Sequence, residues 1–230
     1  MTILAEFDDP VRGLIPEPDR SVDNSTIQLG ASPVDDATDP SGWAIDGFSR
    51  LTDGGYDMTA FHYYLIENRT YLRQDEHLCG TYQFLYGNWL EKFCMANGMV
   101  VWYRDGQFAD NNVSVHPGRG QILVVDSHPW PVVQPGTGGA YWRERLQAWD
   151  AAFRVDNDRI TLHTVNDDGS LRPFVWRSDA RRVFWDNVRG KYYNASNPYA
   201  SVITPGSGLK VKILWATADR NTIKVRVRWT

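Results

Sequence analysis

The chain has 230 residues, 42% of them hydrophobic, with a formal net charge of −4. This is a globular composition, long enough to bury roughly 70% of the unfolded surface and to fold without a disulfide or a metal. The mild acidity argues against a general affinity for nucleic acid, and no run approaches the roughly 20 apolar residues of a membrane span.

The opening MTILAEFDDP has no basic start and no apolar core, so no signal peptide is legible. Residues 1–42 lack periodicity, and IPEPDRSVDNST (15–26) and ASPVDDATDPSG (31–42) are rich in Pro, Asp and Ser, as in a tail or linker. Residues 1–60 hold twelve Asp or Glu against three Arg, whereas residues 209–230 hold six Lys or Arg against one Asp, so the two ends are expected to play different structural roles.

From Trp43 the chain reads as β. In AFHYYLIENR (60–69), period-two alternation puts Phe61, Tyr63, Leu65, Glu67 and Arg69 on one face and His62, Tyr64, Ile66 and Asn68 on the other. Residues 81–86 and 89–95 flank Gly87-Asn88, a hairpin turn signal. Cys79 and Cys94 would lie at the open ends of that hairpin, as a disulfide or as two free thiols. His77 is near Cys79, but no further ligand is close enough in sequence to complete a zinc site.

GMVVWYRD (98–105) and GQILVVDS (120–127) are expected to be buried central strands joined by a polar loop. One short helix is expected at about 140–149, followed by a hairpin turning at Asp156-Asn157-Asp158 and a polar connection at Asn166–Ser170. The final unit is the clearest. Val211, Ile213 and Trp215 alternate with Lys210, Lys212 and Leu214, and Ile223, Val225, Val227 and Trp229 alternate with Lys224, Arg226 and Arg228, around a turn at Ala218–Asn221. The fold expected is all-β: an antiparallel β-sandwich or two packed β units with one or two short helices. A tail occupies 1–42 and a β-rich domain 43–230, subdivided near 166–172.

No catalytic motif is legible. The five histidines, His62, His77, His116, His128 and His163, include no pair spaced as in His-Glu-x-x-His, so two imidazoles cannot face one zinc from one helix. Pro205-Gly-Ser-Gly mimics a nucleophile elbow only weakly, and no phosphate-binding glycine loop occurs. If zinc were bound, His62, His116 and His128 would be the first ligands to test.

Two oxygen-rich clusters are calcium candidates: Asp105, Asp110, Asn111 and Asn112, and Asp156, Asn157 and Asp158 with Asp167 and Asp168. Turn chemistry explains the same residues. Ten Trp and eleven Tyr suit either a sugar-binding face or core filling, with Trp215 and Trp229 read as core. The Lys and Arg stripe opposite them reads as a solvated face, and Glu67 is expected to pair with Arg69. Asn24, Asn68, Asn112 and Asn194 begin glycosylation sequons.

HYYLIENR (62–69) and NGMVVWYRDGQFADNNVSVHPGRGQILVVDSHP (97–129) resemble strands of the immune-inhibitor-A-like, or M6, metallopeptidase family. The resemblance is carried by Trp102-Tyr103, Asp110-Asn111-Asn112, His116-Pro117-Gly118-Arg119-Gly120 and Val125-Asp126-Ser127-His128-Pro129, in that order. YYNASNPYASVITPGSGLKVKI (192–213) is similar to the family's closing segment. ILAEF (3–7) and IPEPDRSVDNST (15–26) resemble the start of the family's catalytic region.

In the family a long zinc-bearing region follows that start; here only about sixteen residues separate Thr26 from Gly42. The resemblance therefore implies a family member without its catalytic centre. On that reading the chain has no catalytic residue or cofactor of its own, while zinc belongs to full-length members. It implies an extracellular, non-catalytic accessory role, with the family's catalytic domain or a protein substrate as partner. The rival reading is a free-standing module that binds carbohydrate or a surface polymer.

Overall fold

The structure is a computed structural model that describes residues 2–7, 26–30, 49–50, 56–57, 62–70, 97–133, 141–142, 150–156, 159–165, 168–177 and 181–230. Among these residues there are fourteen strands and no helix. In chain order they are β1 (Thr2–Phe7), β2 (Thr26–Gly30), β3 (Ser49–Arg50), β4 (Tyr56–Asp57), β5 (His62–Arg69), β6 (Gly98–Asp105) and β7 (Ile122–Val125). They continue as β8 (Val132–Val133), β9 (Tyr141–Trp142), β10 (Arg159–Val165), β11 (Leu171–Arg177), β12 (Val183–Trp185), β13 (Leu209–Ala216) and β14 (Thr222–Trp229).

Two four-stranded sheets make the body, ordered β2-β5-β6-β7 and β1-β14-β13-β12. All their pairings are antiparallel except β1 with β14, which is parallel. The pleat explains why they pack. Tyr64, Ile66 and Asn68 of β5 are buried, and the residues between them are only partly so. Met99, Val101 and Tyr103 of β6, Phe184 of β12, Leu209, Val211 and Ile213 of β13, and Ile223, Val225 and Val227 of β14 join them in one apolar cluster. A β-sandwich with a shared core results, each large buried side chain contributing roughly 1.5–3 kcal/mol. Phe184 meets Tyr64 edge-on at 4.9 Å and Tyr192 stacked at 5.3 Å, so aromatic rings fill the space between the sheets.

The all-β expectation holds, with local corrections. β7 is the edge of its sheet, not a central strand, because the chain leaves the sheet after Val125. Tyr141 and Trp142, expected to open a helix, form β9 and pair with β8. The rest of that segment, 143–149, lies outside the described residues. The hairpin expected to turn at 156–158 instead turns within 166–170, since β10 pairs with β11 from Arg159↔Arg177 to Val165↔Leu171. Phe153, expected in that hairpin, bridges Met99. Two segments of the stretch read as tail are strands, β1 and β2. The hairpin at 81–95, with Cys79 and Cys94, lies outside the described residues.

The last hairpin forms as expected, with one change. A register shift between Ile213 and Trp215 pairs Trp215 with Lys224, turning Trp215 to the outer face at 42% exposure. Trp229 remains packed against the core.

Candidate functional site

The β5–β6 register builds one end of the sandwich. His62 is directly opposite Asp105, and Tyr103 lies two residues back on the same face of β6. The His62 Nδ1 is 2.8 Å from the Tyr103 hydroxyl and 3.5 Å from Asp105 Oδ1. Burial holds the His62 imidazole below its ordinary value; Arg119 reinforces this and Asp105 opposes it. Burial also pushes the Tyr103 phenol up, so it stays protonated.

The β6–β7 connection closes over this end. The Asp105 carboxylate accepts the Gln107 N–H at 3.0 Å, and Arg119 N–H donates to the His116 carbonyl at 3.0 Å. Gly118 sits at φ +75°, where a side chain is strained, and a Cβ there would lie 2.7 Å from the Tyr193 ring. That closeness lets the Gly118 carbonyl accept the Ile203 N–H at 2.8 Å, fixing the loop to the β12–β13 connection. Between the two lies a cavity of about 170 Å³, bounded by His62, Tyr103, Asp105, Arg119, Arg189 and Thr204 among others.

The described oxygens of the calcium candidates have local partners. Asp105 is buried beside His62. Asp110 is exposed, accepts the Asn112 N–H at 2.7 Å and lies 3.1 Å from His116 Nε2. The Asn111 side-chain carbonyl accepts the Ile122 N–H at 2.8 Å, which starts β7. These oxygens set the conformation of the loop. In the second cluster, Asp156 is paired with Arg220, and Asp168 takes the Ser170 N–H at 2.9 Å; Asn157, Asp158 and Asp167 lie outside the described residues. Among the described residues, no group of three or more His, Cys, Asp or Glu side chains is placed to hold a metal ion.

The histidines named as zinc ligands are each taken by a different carboxylate: His62 by Asp105, His116 by Asp110, and His128 by Asp150 at 3.2 Å. Glu67 accepts from Arg69 at 2.8 Å and from the Trp102 indole at 3.1 Å, as befits a structural carboxylate. The Asn68 sequon is buried, its amide donating to the Arg220 and Asn221 carbonyls. Pro205-Gly-Ser-Gly is a turn in which Ser207 donates to Asp186 at 2.9 Å, with no imidazole among its hydrogen-bond partners.

The sequence did not announce a second polar cluster. Asp126 and Asp150 are almost wholly buried; Asp126 Oδ2 and Asp150 Oδ1 lack hydrogen-bond partners, and Asp150 Oδ2 faces the His128 ring at 3.2 Å. Burial, and for Asp126 also the charge of Asp150, pushes both carboxyls well above the usual range; Arg154 opposes this at Asp150. The signal available was the Val125-Asp126-Ser127-His128 motif. Its aspartate and serine are fixed by His128 N–H to Asp126 at 2.7 Å and by Ser127 Oγ to the Asp150 carbonyl at 2.6 Å.

A β-sandwich in which His62, His116 and His128 each face a different carboxylate defines a β-domain without an assembled metallopeptidase centre among its described residues. The model for the immune inhibitor A-like metallopeptidase VEG domain matches residues 58–225, and the chain belongs to that family. It is 30% identical over 210 residues to immune inhibitor A of Bacillus thuringiensis subsp. alesti, covering 90% of this chain and 28% of that protein. It is 32% identical over 178 residues to the pre-pro-metalloprotease PrtV of Vibrio cholerae serotype O1 (strain M66-2), covering 77% of this chain and 17% of that protein. The chain thus spans less than a third of the length of the curated relatives it matches.

Proposed function

We propose that the chain is an accessory domain of a secreted M6 metallopeptidase, which packs on the catalytic region and supports its folding or its hold on protein substrate. The observation that carries this reading is the family match over 58–225 set against relatives several times longer. Leu171 and Val175 of the β10–β11 hairpin are 50% and 64% exposed and lie on one face with exposed Pro173. A two-stranded hairpin is marginal by itself in water, and an apolar stripe on it suits a covering partner. Zinc belongs to that partner in this reading, because its chemistry needs three converging protein ligands.

The test uses the full chain, its length checked by mass. Mixed with a family catalytic region, it is expected to form a complex that a Leu171→Lys/Val175→Lys variant weakens about tenfold or more while keeping its melting temperature. Alone, with or without added zinc, it is expected to leave casein intact. Chelator-sensitive cleavage by the chain alone would overturn the reading, as would failure to associate with the catalytic region.

A further inference from the structure

We propose that the cavity between Arg119, Arg189 and Thr204 is a carboxylate-binding subsite that takes an Asp or Glu side chain from a polypeptide outside this chain; the choice of a polypeptide rests on the accessory-domain reading. Among the described residues, Arg69 is paired with Glu67 and Arg220 with Asp156. Among the described residues, neither Arg119 nor Arg189 has an acidic side chain as a salt-bridge partner. Arg119 donates to the Gln107 amide oxygen at 3.4 Å, and its guanidinium lies 5.7 Å from the Phe108 ring centroid. Arg189 is exposed at the rim.

Thr204 supplies a second, independent sign. It is fully buried, it lines the cavity, and its hydroxyl has no hydrogen-bond partner. Such groups are rare in folded proteins and call for an acceptor. Arg119, Arg189 and Thr204 line one space, a set that suits an oxyanion, since guanidinium matches carboxylate geometry with paired N–H donors.

Asp105 also lines the space, but its charge is engaged by the Gln107 N–H and faces His62. With His62 neutral, the lining carries two arginines against one aspartate, which suits a monoanion better than a dianion. A volume of about 170 Å³ is below that of sites for drug-sized ligands and fits one short acidic side chain. Tyr103 is only 4% exposed, so the cavity presents no open ring face on which a sugar would stack. The relatives carry most of their length outside the region matched here, so other polypeptide is the nearest source of carboxylates.

The test is an NMR titration of the ¹⁵N-labelled full chain with N-acetyl-glutamate N-methylamide, against its glutamine analogue, inorganic phosphate and methyl glucuronide. Saturable shifts are expected at 62, 103–107, 119, 189 and 204, with dissociation constants in the millimolar range. The glutamine analogue and an Arg119→Gln/Arg189→Gln variant should each bind about tenfold more weakly, as loss of a charge-assisted pair implies. Thr204→Val should weaken binding about threefold or more with the fold retained. The proposal is overturned if glutamate and glutamine bind alike, if shifts do not saturate, if they fall elsewhere, or if phosphate or glucuronide binds more tightly. Failure to associate with a catalytic region, with glutamate binding intact, would remove the accessory reading and leave the subsite standing.

Discussion

Asp186 shows how one side chain joins two sheets. It follows β12, is fully buried, and accepts from the Tyr64 hydroxyl of β5 at 2.8 Å, from Gly206 N–H at 3.0 Å, and from Ser207 N–H and Oγ at 2.8 and 2.9 Å. Burial, then the charge and hydrogen bond of Asp186, push the Tyr64 phenol well up, so it remains a donor at any ordinary pH. Asp186→Ala strands these donors and is expected to cost about 3–5 kcal/mol in urea unfolding, whereas Tyr64→Phe removes one charge-assisted bond and should cost about 1.5–3 kcal/mol. A double variant less destabilised than the sum would confirm that the two act as one unit.

The Asp126–Asp150 pair acts in the opposite direction. Both folded-state pKa values lie above the unfolded carboxylate value of about 3.9. The folded state therefore binds more protons. The stability this brings is whole below the unfolded value and is lost as pH rises through the folded one. The melting temperature should fall on going from pH 5 to pH 8. Asp126→Asn or Asp150→Asn should flatten that fall and raise the melting temperature at pH 8 by about 2–4 °C per kcal/mol regained. An unchanged pH profile in both variants would refute the assignment.

At the scale of the element, the C-terminal hairpin separates pattern from register. Simple alternation places Val211, Ile213 and Trp215 on one face. The register shift after Ile213 keeps Ile213 at 1% exposure and moves Trp215 out to 42%. Ile213→Ala is then expected to cost about 2–5 kcal/mol, and Trp215→Ala to stay within about 0.5 kcal/mol, by chemical denaturation. Strict alternation demands large losses at both positions. The shift also lets Ala216 pair with Ile223, next to the four-residue turn where Arg220 takes φ 59° and Thr217 N–H bonds the Thr222 carbonyl.

Across the whole molecule, the β6–β7 loop and the β12–β13 connection meet at one end of the sandwich, and their contact shapes the cavity. The β10–β11 hairpin leaves Leu171 and Val175 uncovered. The two relatives carry much protein outside the matched region, which is 28% and 17% of their lengths. On the proposed accessory role, the complex with a catalytic region is an interface of domain type, in which lysines at 171 and 175 are expected to weaken association more than they weaken the fold.

The sequence by itself determined the all-β class, the β5 faces, the final hairpin and the family. Each depends on period-two patterning or on motifs contiguous in the chain, as with His116-Pro117-Gly118-Arg119-Gly120. Glu67–Arg69 was legible for the same reason, since residues two apart on a strand share a face. Only the tertiary structure decided which polar groups meet. Asp186 finds Tyr64 from 122 residues away, Asp126 and Asp150 are buried together, and Thr204 and Arg119 line one cavity. It also decided that β10 turns back at 166–170 and that Trp215 leaves the core. Strand register and sheet-to-sheet packing fix these outcomes, and they depend on contacts between distant segments that no local periodicity records.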